Sequence, residues 1–308
     1  MRVVERRATH DELRVRVREA YRMLRPCRVC PWDCGVDRRV EATGRCRSGW
    51  RPVVASANLH RGEEPPLSGR RGSGTIFFAG CSLDCRFCQN WPISHLGHGE
   101  PITPAGLASA MLGLQRRGAH NVNLVTASHW TPQVLAAAAL ARRGGLELPI
   151  VWNSSAWEKV ELLRLLDGVV DVYLPDLKYG DDASAERCSG VRGYWAAATA
   201  AIGEMSRQVG RLQLDDDGVA VRGLIVRHLV LPGGLAGTRR VLEWLAGQLP
   251  YGTAVSLMGQ YFPAGAALAD PQLGRPLAAA EYAEACALLE EFPELEGWTQ
   301  DMSLPGGC

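Results

Sequence analysis

The chain has 308 residues, 46% of them apolar, and its 34 cationic and 33 anionic side chains leave a formal net charge of +1. That length allows one barrel-sized domain or two ordinary ones, and the near-neutral balance excludes the broad electrostatic footprint of a protein that binds nucleic acid or a membrane surface. No apolar run approaches the ~18 residues of a membrane span, and the opening MRVVERRATHDELRVRV lacks the apolar core of a secretory signal. A cytoplasmic protein with neither nucleic acid nor membrane as partner is therefore expected.

Residues 9–24 read as a helix. Thr9 and Glu12 form a capping box, Leu13, Val17, Ala20, Tyr21 and Leu24 share a face, and Pro26 ends it. Residues 27–49 are rich in Cys and Arg and read as a knuckle folded around a metal. The Gly- and Pro-rich stretch 61–74 reads as loop. From residue 75 short apolar runs alternate with helical stretches: TIFFAG (75–80), NVNLVT (121–126), PIVWNS (149–154), VVDVYL (169–174), GLIVRHLVL (223–231) and AVSLM (254–258).

Thr103-Pro104 and Thr131-Pro132 read as N-caps followed by a first-position proline. Ser155 with Glu158 reads as a capping box, and Gly118, Gly144 and Gly168 as helix stops. One more helix is expected over 278–292, followed by a polar tail ending Gly306-Gly307-Cys308. Near-continuous apolar strands separated by helices imply a parallel sheet. The expected fold is an α/β partial (β/α)6 TIM-type barrel with a small Cys-rich N-terminal extension, and a doubly wound open sheet is the alternative. In both, chemistry belongs at the C-terminal ends of the strands. The expected division is 1–60 for the N-terminal helix and Cys-rich segment, 61–265 for the barrel and 266–308 for the C-terminal helix and tail. The Arg doublets 38–39, 70–71, 116–117 and 142–143 read as solvated faces.

Seven of the ten cysteines lie between Cys27 and Cys88. In a reducing compartment such clustering points to metal binding rather than disulfides. The sharpest signal is Cys81-Ser-Leu-Asp-Cys85-Arg-Phe-Cys88, directly after TIFFAG and therefore in the first βα loop. A closed [4Fe–4S] cluster takes four cysteines, so three leave one iron open to another ligand. A structural zinc knuckle with a distant fourth ligand is the other reading of the same residues. Upstream, Cys27, Cys30, Cys34 and Cys46 are four thiols within 20 residues. They suit zinc or a second, auxiliary [4Fe–4S] cluster equally, and partly buried free thiols are the alternative. Cys188, Cys286 and Cys308 read as ordinary cysteines.

The spacing CxxxCxφC after the first strand, with Phe87 as φ, resembles the signature of the radical S-adenosylmethionine (SAM) superfamily. The longer run HRGEEPPLSGRRGSGTIFFAGCSLDCRFCQNWPIS resembles the subfamily related to pyruvate formate-lyase activating enzymes, as do NVNLVTASHW, DVYLPDLKYGD, VRHLVLPGG and VSLMGQYFPAG. The resemblance spans roughly residues 25–265. It implies a partial TIM barrel, a [4Fe–4S] cluster on Cys81, Cys85 and Cys88, and SAM bound to the open iron. The implied chemistry is reductive cleavage of SAM to a 5′-deoxyadenosyl radical that abstracts hydrogen, an enzyme of oxidoreductase or lyase type. A flavodoxin- or ferredoxin-type reductant would supply the electron. The target is a small molecule or peptide; the alternative is a glycyl radical enzyme activated by this chain, and the distant alternative is a non-enzymatic iron–sulfur or zinc electron-transfer protein.

Many members of the superfamily carry Gly-Gly-Glu after the second strand, where this chain has Thr126-Ala127-Ser128-His129-Trp130. The hydroxyls of Thr126 and Ser128 or the imidazole of His129 are expected to take over the SAM contact, and His129-Trp130 is a candidate substrate platform against a core reading of the same pair. Gly62-Glu63-Glu64 precedes the cluster strand and is not equated with that motif. The remaining candidates for SAM or substrate contact are at strand ends: Asn153, Asp176 with Lys178, Arg227 or His228, and Gln260. Asp176 and Lys178 are two apart on extended chain and share a side, whereas the adjacent Arg227 and His228 face opposite ways.

Overall fold

The computed structural model describes residues 7–40 and 44–300, so the tail ending in Cys308 lies outside the described residues. The six apolar runs each form a strand: β2 (Ser73–Phe78), β4 (Val122–Val125), β5 (Ile150–Ser154), β6 (Val172–Pro175), β8 (Ala220–Leu229) and β9 (Thr253–Met258). Four strands were not expected. β1 (Val53–His60) pairs antiparallel with β2 and carries the two-residue β3 (Glu100–Pro101) on its other side. β7 (Gln213–Leu214) pairs antiparallel with β8, and β10 (Leu295–Thr299) adds in parallel to β9. The sheet thus takes in β1, from the segment 1–60, and β10, from beyond residue 265.

The sheet order is β10-β9-β8-β6-β5-β4-β2-β1-β3. From β2 to β10 the parallel strands follow chain order without a reversal, so the topological switch point of a doubly wound sheet is absent. Crossovers of a single hand then put the helices on one face, and the sheet curls around the other as a barrel does. The edges β3 and β10 do not pair with each other, so the barrel is open.

The helical face holds the large core, with Ile76, Leu124, Trp152 and Tyr173 all buried among helix residues. On the opposite face Leu67, from the 61–72 strap, packs in a second cluster with Val151, Val172, Leu174, Ile225 and Ala254. The sheet is therefore buried on both faces, which explains why its strands read as unbroken apolar runs. No helix among the described residues is long and apolar enough to cross a membrane.

Local signals fared unequally. The helix His10–Arg22 has the Thr9/Glu12 capping box in both directions, and Thr103 caps Pro104–Arg116 through Gly106 N at 3.1 Å. Gly118 is left-handed (φ +82°) after that helix. Thr131 is instead the first helical residue, and its hydroxyl donates to Ser128 O at 2.7 Å. The Ser155/Glu158 box does not form, because the Glu158 carboxylate accepts from Trp152 Nε1 (2.8 Å) and Ser154 Oγ (2.6 Å), and the helix starts at Val160. Of the Arg doublets, Arg38 is 1% exposed rather than solvated.

Candidate functional site

β2 delivers the chain to Ala79 and Gly80 at its C-terminal end. Gly80 is left-handed (φ +78°), and a Cβ there would sit 2.9 Å from Cys46 O and 3.2 Å from His129 Nε2. Only glycine fits both the conformation and the space. The loop that follows is strapped to the end of the helix Asp182–Ser189: Asp84 N donates to Ser189 O (3.2 Å) and Arg86 N to Cys188 O (2.9 Å). Those carbonyls are ones a helix terminus leaves without intrahelical partners.

The three sulfurs of this loop each have one hydrogen-bond neighbour. Leu83 N donates to Cys81 Sγ at 3.4 Å, Ser189 Oγ donates to Cys85 Sγ at 2.9 Å, and Ser94 Oγ lies 3.1 Å from Cys88 Sγ. Burial pushes the Cys81 and Cys85 thiols up, Cys85 to about 11, with the Lys178 ammonium pulling back on both. Three sulfurs, one buried and two half-buried, that repel one another as thiolates call for a positive group between them, which a metal centre supplies. Among the described residues no three His, Cys, Asp or Glu side chains converge as ligands of a single ion. A four-iron cluster does not ask for that, since each thiolate takes a different iron. The donor set therefore fits the cluster that the resemblance implies, with three thiolates and no fourth.

Beside the triplet, the strand ends carry a polar cage. Arg227 donates from Nε to Asp176 Oδ1 (2.7 Å) and from an Nη to Asn153 Oδ1 (2.8 Å), and lies 3.7 Å from Glu64 Oε1 and 4.0 Å from Glu63 Oε2. Lys178 Nζ donates to the other Asp176 oxygen at 2.6 Å. Burial alone would raise the Asp176 carboxyl, but Arg227 and Lys178 outweigh it and hold the group below the usual range. Lys178 is held above its ordinary value, since Asp176 and Cys85 together overcome its burial. Asp176, Lys178, Arg227 and Asn153 thus come together at the strand ends. Glu63 and Glu64 join them because the 61–72 strap runs across the sheet face, a placement no local pattern announces.

The other expected contacts divide. Thr126 has a left-handed backbone (φ +59°) and its amide bonds Asn153 O at 2.9 Å, so it turns at the end of β4 beside the cage. Ser128 is buried and bonds toward Glu158. His129 and Trp130 are 1% exposed, and both rings bond Ala79 O, at 3.0 and 3.1 Å. The substrate-platform expectation is thereby corrected: these rings lie behind the cysteine strand, and Arg38 stacks over Trp130 at 4.8 Å. His228 is also corrected, because its nitrogens are used by Leu177 O (2.7 Å) and Thr238 Oγ1 (3.0 Å), and burial drives its pKa down to about 4. Phe87 packs edge-on against Tyr261 at 5.8 Å, within the core rather than open to a ligand. Gln260 follows β9 and accepts at Oε1 from Gln300 at 2.8 Å.

Cys27, Cys30, Cys34 and Cys46 line one small cavity together with Arg38 and His129. Burial raises the Cys27 and Cys30 thiols, Cys30 to about 12, and each feels its neighbours as like charges. Four sulfurs on one cavity match the number of donors in a four-cysteine site, although no three of them converge on a single ion in this geometry. Arg38 fastens this segment to the barrel by donating to Ser48 O (2.9 Å), Gly49 O (3.0 Å) and His129 O (2.5 Å). Trp32 adds a bond from Nε1 to Ser82 O at 2.6 Å, inside the triplet loop. Arg38, Ser189 and Tyr179 carry no sequence pattern that marks them, since their partners are distant in the chain.

No family model matches the chain. It is 33% identical over 288 residues to the uncharacterized protein MJ0674 of Methanocaldococcus jannaschii, covering 91% of this chain and 79% of that protein. Among solved structures it superposes on Streptococcus suis SuiB with a TM-score of 0.48 and 11% identity, over 72% of this chain and 47% of that one, so it spans about half of SuiB. Methylornithine synthase (PylB) gives 0.46 and 13%, over 95% and 76% of the two chains. TYW1 with a lysine-pyruvate adduct bound gives 0.43 and 14%, over 70% and 73%. Superpositions this loose support no conclusion about chemistry.

Proposed function

The chain belongs to the same family as the Methanocaldococcus jannaschii protein MJ0674, and we propose that it is a cytoplasmic radical SAM enzyme. The observation that carries this reading is the placing of Cys81, Cys85 and Cys88 on the loop after β2, among them no fourth cysteine, with a polar cage at the adjoining strand ends. When bound, a [4Fe–4S] cluster with one open iron supplies the electron that cleaves SAM and releases a hydrogen-abstracting 5′-deoxyadenosyl radical.

This chain's residues supply the setting. The three thiolates anchor the cluster on a loop held at both flanks of Cys85. Lys178, between Asp176 and Cys85, offers a positive group to a carboxylate arriving at the strand ends. Asp176, Asn153, Glu63 and Glu64 fix the Arg227 guanidinium, whose five donors exceed the partners it has here. Thr126 turns the chain at the end of β4, where its hydroxyl is available to SAM in place of the Gly-Gly-Glu motif. The core behind the loop, built on Trp130, Phe87 and Tyr261, keeps water from the reaction.

We assign a second metal to the Cys27, Cys30, Cys34, Cys46 set, as an auxiliary [4Fe–4S] cluster or zinc, and a flavodoxin- or ferredoxin-type protein as reductant. The target is a small molecule or peptide. The resemblance to activating enzymes favours a second reading, a glycyl radical partner protein, for which hydrogen would be taken from that protein's backbone.

The test is direct. Reconstituted, reduced protein should cleave SAM to 5′-deoxyadenosine and methionine, and Cys85→Ala should lower that rate by at least a hundredfold. Full cluster occupancy without any cleavage would refute the reading. Metal analysis after anaerobic purification gives near eight irons per chain for two clusters and near four plus one zinc for the mixed case.

A further inference from the structure

We propose that Ser189, backed by Tyr179, donates a hydrogen bond to the Cys85 sulfur and so raises the reduction potential of the cluster on Cys81, Cys85 and Cys88. The inference rests on the radical SAM reading and adds to it two residues outside the cysteine motif.

The geometry is a short relay. Ser189 Oγ lies 2.9 Å from Cys85 Sγ and 2.5 Å from the Tyr179 hydroxyl, and both residues are wholly buried. A serine hydroxyl has one proton. If that proton goes to sulfur, Tyr179 must be the donor in the other contact, so the chain runs Tyr179 O–H to Ser189 O–H to Cys85 Sγ. Each bond in such a chain polarises the next, and in a dry interior the effect is larger than in water.

The other two sulfurs are less well served. The Cys81 contact is a long 3.4 Å bond from a backbone amide. Ser94 has two claims on its single proton, Cys88 Sγ and Asn90 O, each at 3.1 Å. Ser189 is therefore the strongest side-chain donor that the triplet has among the described residues. It is also the best positioned, because Asp84 N and Arg86 N bond the carbonyls of Ser189 and Cys188 and fix the helix end against Cys85 from both sides.

Reduction adds a negative charge that spreads onto the cluster sulfurs. A donor aimed at one of them stabilises the reduced form more than the oxidised one, and so moves the potential upward. The hydroxyl touches no substrate; Ser189 and Tyr179 are positioning residues that act through Cys85.

The experiment is a redox titration followed by electron paramagnetic resonance, on the full-length protein with its clusters reconstituted. The signal that changes when SAM is added identifies the triplet cluster. Ser189→Ala should lower its midpoint potential by about a tenfold change in the reduction equilibrium, ~59 mV for one electron. Tyr179→Phe should shift it the same way by less, and Ser189→Thr, which keeps a hydroxyl, should bring it back toward the parent value. A fully loaded Ser189→Ala protein with an unchanged or higher midpoint overturns the inference. If Ser189→Ala does not fold, Tyr179→Phe alone decides, and no downward shift there overturns it equally. Parent protein with its full complement of iron, none of whose signals responds to SAM and which loses none of them when Cys81, Cys85 and Cys88 are replaced together, would instead overturn the radical SAM reading on which the inference stands.

Discussion

Cys81, Cys85 and Cys88 hang from the end of a parallel strand, on a loop clamped by a helix terminus, whereas Cys27, Cys30, Cys34 and Cys46 occupy a segment whose described residues form no helix or strand longer than an isolated bridge. The triplet inherits rigidity from the sheet and needs only three ligands, leaving one coordination position for chemistry. The quartet has no such scaffold and supplies enough sulfur to close a site by itself. Among the described residues it is held against the barrel by the buried Arg38, the Trp32 bond, the Asp33–Lys159 ion pair, the Arg47 bond to His95 O (3.1 Å), the packing of Val29 in one cluster with Leu162 and the close approach of Cys46 O to Gly80. The position of a metal ligand thus tells less than its count and its support: an open site is built on rigid elements, and a closed one can bring its own order.

The largest way to break this comparison is Arg38→Ala. The substitution strips a hydrogen bond from three carbonyls in the interior and removes the cation over Trp130. Leaving buried acceptors unsatisfied costs on the order of 1–3 kcal/mol each, with partial relief by relaxation and water, so a loss of about 4 kcal/mol is expected in denaturant unfolding. Arg38→Lys should recover only a fraction, because an ammonium cannot reproduce the guanidinium fork. A loss below about 1 kcal/mol would mean that the segment's other attachments, the Trp32 bond and the Asp33–Lys159 ion pair among them, hold it without Arg38.

Gly80→Ala probes the seam between the two sets. Alanine in the left-handed region costs about 1–2 kcal/mol by itself, and its Cβ would stand 2.9 Å from Cys46 O, a backbone atom that cannot swing aside. A total of about 3 kcal/mol is expected, together with weaker metal retention at both cysteine sets, read as metal per chain after gel filtration. Loss of metal from one set only would show that the two are mechanically separate.

These sites differ in how far the sequence discloses them. The triplet is legible because its spacing is local, and the six inner strands because burial on both faces leaves long apolar runs. β1 and β10 escape because they lie next to and at the ends of the sheet, where strands are half-exposed and mix polar with apolar residues. Arg38 reads as solvated because an Arg doublet looks the same whether or not one member turns inward. Glu158 carries a capping-box spacing, yet Trp152 and Ser154 claim its carboxylate first. Ser189 meets Cys85 from 104 residues away, and neither a serine nor that separation leaves a mark on the sequence. Local chemistry was readable; contacts made by the closing of the sheet were not.

The smallest effect separates the two regions by pH. His228, on the barrel, and His129, beside the quartet, are both buried, and burial is the main reason their pKa values fall to about 4 and about 3. In the unfolded chain both titrate near 6.5. Between roughly pH 6.5 and 4 the unfolded state therefore binds protons that the folded state refuses, so stability is level above that window and falls as pH drops through it. Each histidine contributes a slope of about 1.4 kcal/mol per pH unit there, and the pair about twice that. Asp176, with its lowered carboxyl, acts in the same direction but only at more acidic pH. His228→Asn should lower stability at pH 7.5, since Thr238 loses its partner, while cutting the slope between pH 6.5 and 4.5 by about half. Urea unfolding at four pH values in that range measures it. An unchanged slope would place the acid sensitivity on the quartet side alone, with His129 as its source; loss of the whole slope would place it on the barrel.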